Sequence, residues 1–219
     1  MAVQFQGNGG VVAEVDGTSY RAIRTTMRPL DAGNLGHYRL STTVALTVSQ
    51  AANGTLFSFR WGDATRLCSL QFIRLEVQQT AAATATIAPI FEVVQARSFI
   101  ASDSAGTALT LTGNSFKKRS SMGTTLVTDI RKSAVAAGCT VGTRTLDADP
   151  VMVLPSVQTI TAINQTTYNK SLDFTDGHDH PFIFAQNEGF IVRGPTVVFG
   201  AAGTANLVVD VGWVEVAAF

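Results

Sequence analysis

The tightest group of side chains able to do chemistry is Asp176-Gly177-His178-Asp179-His180. On an extended chain His178 and His180 project to one side, where two neutral imidazoles and the Asp176 carboxylate would make part of a transition-metal site. A further ligand is not at hand. The only other histidine is His37, and Cys68 and Cys139 lie far along the chain. The segment therefore reads as a polar turn before Pro181, and no metal or other cofactor is expected.

Glu188, in Gln186-Asn187-Glu188-Gly189, is placed like an acid for glycoside chemistry, but no second carboxylate has a comparable setting. A tight turn accounts for Asn187 and Gly189 without catalysis. The chain has no Gly-x-Ser-x-Gly elbow, no phosphate-binding P-loop and no dinucleotide fingerprint. Gly7-Asn8-Gly9-Gly10 follows no strand and reads as a flexible leader. These residues do not spell an enzyme.

The basic residues gather in two places: Lys117-Lys118-Arg119, and a looser series of Arg21, Arg24, Arg28 and Arg39. Sixteen basic and sixteen acidic residues cancel, so no long-range field draws the chain to nucleic acid or an anionic membrane. Neither sequence-specific nucleic-acid binding nor membrane association is expected. Both runs suit a solvated loop or pairing with carboxylates of a neighbouring subunit, and the segment from Arg21 to Arg39 is the one expected to dock.

Short β-branched and aromatic runs, punctuated by Gly, Pro and Asn, must position whatever sites exist. The region from Gly189 to Val216 is the clearest case, and the texture is that of antiparallel strands in a sandwich or barrel. Residues 1–42 lack periodicity and read as an extended arm. Residues 43–219 read as one β domain. Val44, Leu46 and Val48 alternate as a strand, and Asn53-Gly54 predicts a hairpin to Leu56–Trp61. Residues 67–78 predict a long strand, 84–96 another, and 108–112 a short partner for it. Residues 124–137 predict a short helix closed by Gly138, although interior Thr residues and a Val leave a strand reading open. Residues 164–173 read as a loop whose Tyr168 is the clearest exposed aromatic. Phe57, Phe59, Trp61, Phe72, Phe182, Phe184, Phe190, Phe199 and Trp213 are assigned to the core.

Only 15% of the residues are charged, below the quarter or so usual in soluble domains, which suits a surface partly covered by partners. Cys68 and Cys139 sit among apolar or small residues and read as two buried thiols rather than a stapled framework. With neither a leader pattern nor an apolar run long enough to span a bilayer, the chain is expected to be made in a cytosol.

Ser120-Ser121-Met122-Gly123-Thr124-Thr125-Leu126-Val127-Thr128-Asp129-Ile130-Arg131, with Ala136-Ala137-Gly138-Cys139-Thr140-Val141-Gly142-Thr143-Arg144 and Phe184-Ala185-Gln186-Asn187-Glu188-Gly189-Phe190-Ile191-Val192-Arg193, resembles structural proteins of tailed bacteriophages. The resemblance covers the C-terminal half and carries no catalytic residues. It implies an all-β, antiparallel, jelly-roll-like sandwich, built into a virion after synthesis in the bacterial cytoplasm. The expected role is a capsid decoration or cement protein, a homo-oligomer bridging copies of the major capsid protein. A tail, neck or fibre-associated receptor-binding protein, a jelly-roll major capsid subunit and a carbohydrate-active enzyme are the alternatives.

Overall fold

The computed structural model describes residues 5–6, 12–13, 36–48, 50–134, 138–157, 167–174, 181–196 and 202–217. By its contacts the chain divides into two units, Met1–Asp31 and Ala32–Phe219. In the first, β1 (Phe5–Gln6) pairs antiparallel with β2 (Val12–Ala13). The strands of the second are β3 (His37–Leu46), β4 (Thr55–Trp61), β5 (Arg66–Ala81), β6 (Ile90–Phe99), β7 (Thr107–Ala108), β8 (Val127–Lys132), β9 (Arg144–Leu146), β10 (Met152–Pro155), β11 (Thr167–Asp173), β12 (Ile183–Phe184), β13 (Glu188–Arg193) and β14 (Thr204–Ala217).

They form two antiparallel sheets packed as a sandwich. One has five strands in the order β11-β5-β14-β3, with β12 also on β5; the other has seven in the order β10-β6-β13-β4-β8-β7, with β9 also on β6. Four pairings define the wrapping: β3 with β14, β4 with β13, β5 with β11, and β6 with β10. The early half of the chain thus pairs with the late half in reverse order, and the resulting long hairpin alternates between sheets. That is the winding of a jelly roll.

Alternation explains the core. Leu207, Val209, Val211 and Trp213 of β14 face inward with Ile73, Leu75 and Val77 of β5, against Phe57, Phe59 and Trp61 of β4 and Phe190 and Val192 of β13. Phe59 is the hub, with ring centroids 5.3 Å from Phe190, 5.4 Å from Trp213 and 6.2 Å from Phe184.

The two outer faces differ. On the seven-stranded sheet, Val94, Ala96 and Ile191 are buried with Phe99, and Leu146 packs against them. Leu146 comes from the long excursion between β6 and β10, which folds back over this face. Arg60 fastens it: Nε donates to Phe99 O at 2.5 Å, Nη2 to Ile100 O at 2.7 Å and to Asn187 Oδ1 at 3.0 Å, and Nη1 to Ser102 Oγ at 3.2 Å. Deeper in, one guanidinium nitrogen of Arg144, Nη1, donates to both carboxylate oxygens of Asp103, and Nη2 donates to Thr55 Oγ1 at 2.6 Å. The outer face of the five-stranded sheet carries Ser41, Thr43, Gln78, Thr80, Asn169 and Ser171, all of them exposed.

Several expectations are corrected. Residues 127–132 are strand β8, and among the described residues there is no helix. Pairing with β4 overrides the local helix-forming residues, and the Thr and Val in the segment suit that ladder. β3 and β4 do not form a hairpin; the chain arches between sheets through Asn53, whose φ of 57° supplies the turn. Both strands bury an apolar face in the same interlayer core, which a two-stranded hairpin in one sheet also permits, so pattern alone did not separate the two. β7 pairs with β8 rather than β6. Residues 167–173 form edge strand β11, whose polar outer residues had the look of a loop. β3 opens at His37, inside the segment read as arm.

Candidate functional site

A cavity with a volume of about 700 Å³ lies on the outer face of the five-stranded sheet. Register builds it. Arg39 on β3 lies opposite Gly212 on β14, Gly212 opposite Phe72 on β5, and Phe72 opposite Asp173 on β11. One row along, Ser41 lies opposite Asp210, Asp210 opposite Arg74, and Arg74 opposite Ser171. Residues directly opposed in an antiparallel pair share a face, so the rows place guanidinium, carboxylate and hydroxyl groups side by side.

Gly212 lets Phe72 form the floor of the site. A Cβ there would sit 2.3 Å from Phe72 Cε1, so the missing side chain lets the Phe72 ring lie over the β14 backbone. The wall is the segment carrying Ser115, Phe116 and Lys118, which docks on the β3 edge through Arg39 N to Phe116 O at 2.8 Å and Lys118 N to His37 O at 3.0 Å. Burial, and then the Lys118 charge, holds the His37 imidazole below its ordinary pKa of 6.5.

Ion pairs among the described residues join Arg66 to Glu215, Arg97 to Asp147, Arg131 to Asp129, Arg144 to Asp103 and Arg193 to Glu92. Arg39, Arg74, Lys118 and Asp210 belong to none of them. Three cations and two carboxylates, Asp210 and Asp173, therefore face one cavity, and the three cations and Asp210 are outside these ion pairs.

Of the arginines expected to dock, Arg39 is exposed at this cavity, whereas Arg21, Arg24 and Arg28 lie outside the described residues. So do Asp176, His178 and His180. Among the described residues, no group of three His, Cys, Asp or Glu side chains is placed to hold a metal. Glu188 closes its own turn: its Oε2 accepts from Ala185 N at 2.8 Å, and Asn187 has a φ of 62°. Tyr168 faces inward and packs against the main core. Phe72, assigned to the core from sequence, is half-buried on the outer face. Cys68 and Cys139 are free, buried thiols; burial pushes Cys68 well up and Cys139 up to about 11, so neither is a nucleophile near neutrality.

Phe72, Arg74, Phe116, Asp210 and Gly212 were not singled out from sequence as a site. One signal was available, a glycine inside the apolar run of β14, which marks a close approach.

A second ionisable group lies between the sheets. Glu215 is fully buried; its Oε1 accepts from Thr125 Oγ1 and from Leu126 N, each at 2.7 Å, while Oε2 has no hydrogen-bond partner. Trp213 Nε1 donates to Thr125 Oγ1 at 3.2 Å and Tyr38 OH to Gly123 O at 3.1 Å, so the approach to β8 is clamped across the sandwich. Burial raises the Glu215 pKa above its ordinary 4.5, against the pull of these donors and of Arg66. Burial, then the Glu215 charge, pushes Tyr38 up to about 12.

The sign of the pH effect follows. Above the ordinary carboxylate range the unfolded chain gives up this proton while the folded chain retains it, so the group's stabilisation is full at low pH and is lost as pH rises through the raised value. Glu215→Gln keeps the oxygen acceptor and removes the ionisation. Urea unfolding midpoints of variant and wild type should coincide near about pH 4, with the variant the more stable near about pH 8. A wild type that is the more stable at the higher pH would mean that Arg66 and the two donors outweigh burial.

Comparison of the chain with protein-family models, with curated proteins and with solved structures gives no match.

Proposed function

We propose that this chain is a structural subunit of a bacteriophage virion, of the decoration or cement type, bridging capsomers of the shell. The observation that supports this reading most is the jelly-roll winding with unlike sheet faces. The chain's own excursion covers one outer face, and the other is left broad and polar. Such a subunit can bury its open face and sheet edges against neighbours whose charges complement its own. Many modest contacts repeated over a lattice add by avidity. Virion proteins, foremost the major capsid protein, and further copies of the chain itself are the partners.

The test mixes the full chain with empty shells and follows co-elution by size-exclusion chromatography with light scattering. The full chain should co-elute, and Arg21→Glu/Arg24→Glu/Arg28→Glu should not while its circular dichroism stays unchanged. A wild type that leaves shells bare sinks the cement role. A second reading, a tail or fibre-associated protein that contacts the host surface, is favoured by one feature, the charged cavity on the open face.

A further inference from the structure

We propose that the cavity on the open sheet face is a binding site for an acidic saccharide, with Arg39 and Arg74 on the sugar carboxylate and Phe72 beneath the ring. The inference goes beyond the virion role and holds wherever the chain is placed.

Four properties of the cavity select this ligand class. First, Arg39 and Arg74 stand in adjacent rows on β3 and β5, separated by β14, and neither is in an ion pair. A planar carboxylate offers two acceptors that match the guanidinium fork, which a lysine ammonium would serve only as a point charge. Second, Phe72 lies over Gly212, and Phe116 lines the wall. Aromatic carbon next to polar groups suits a ring with one C–H face and a rim of hydroxyls. Third, Ser41, Ser115 and Asp210 supply hydroxyls and a carboxylate that accept from sugar O–H groups. Fourth, a volume of about 700 Å³ is within the range of small-ligand sites and large enough for two or three sugar units.

The same inventory disfavours the alternatives. Asp210 and Asp173 line the cavity with the cations, so a polyphosphate or nucleic-acid backbone would bring repulsion with attraction. A purely apolar ligand would have to desolvate the cations and carboxylates of the cavity while offering them no hydrogen bond.

Isothermal titration calorimetry on the full chain tests this with 3′-sialyllactose and trigalacturonate as acidic probes, lactose as the neutral one and inorganic phosphate as the plain anion. At least one acidic saccharide should bind at least tenfold more tightly than lactose and than phosphate. Arg39→Ala and Arg74→Ala should each weaken it about tenfold, as the loss of one charge-assisted pair implies. Phe72→Ala should weaken it several-fold, and Lys170→Ala, on the exposed edge strand β11, should leave it unchanged. The arginines are exposed, so their removal does not threaten the fold. Failure of both acidic probes, equal binding of lactose, equal binding of phosphate, or indifference to Arg39→Ala and Arg74→Ala would each overturn the assignment.

Discussion

Asp103→Ala should lower the unfolding free energy by about 3–5 kcal/mol, the cost of leaving the partner of a buried ion pair uncompensated. The Arg144 side chain is 3% exposed and that of Asp103 is 0% exposed, so water cannot replace the lost carboxylate. Asp103 also accepts from Gly142 N at 2.8 Å, and the Arg144 guanidinium carbon stands 5.3 Å from the centre of the Phe99 ring. The variant therefore loosens both ends of the excursion that covers Val94, Ala96 and Ile191. Chemical denaturation gives the magnitude, and hydrogen exchange should reveal new lability first over residues 100–106 and 138–146. Asp103→Leu/Arg144→Met should recover much of the loss, because it removes both charges together. A single variant as stable as wild type would mean that the pair contributes nothing net and that Arg60 alone holds the excursion.

Phe59→Ala should cost about 3–5 kcal/mol, the range for emptying a large aromatic site in a packed core. Phe59 touches both sheets, through Trp213 and Phe184 of the five-stranded sheet and Phe190 of its own. Its removal opens a void at the centre of the interlayer contact rather than at a rim, where neighbours could close in. The offset and edge-on ring arrangements add to the area term. Phe59→Leu should cost less, since it refills much of the volume. The measurement is the urea midpoint with the slope checked for constancy, because a changed slope would signal a loosened native state instead of a simple loss of packing.

Strand content was legible because the strands that build the core carry period-two patterns or unbroken apolar runs. β14 runs as Leu207, Val209, Val211 and Trp213 on one face, and β5 was readable for nearly its full length. Legibility failed where one strand face was polar or short of pattern. β11 has Asn169, Lys170, Ser171 and Asp173 exposed on an edge, and nothing in that string requires pairing until β5 is beside it. β8 contains helix-compatible residues and becomes a strand because β4 offers a free edge. Local propensity is a difference of tenths of a kcal/mol per residue, and a continuous ladder outweighs it.

The candidate site was harder still. Arg39 drew notice as one of several arginines near the start of the domain, but Phe72 and Gly212, which register places beside it, are 33 and 173 residues away in sequence. No spacing rule links them.

By itself, then, the sequence determined the class: an all-β chain with an interlayer aromatic core and two thiols suited to burial, since hydrophobic alternation and β-branched content are local properties. The tertiary structure decided the winding, which face the chain covers with its own excursion, and which charges meet. Those outcomes depend on long-range register, where a shift of one residue turns every side chain to the opposite face.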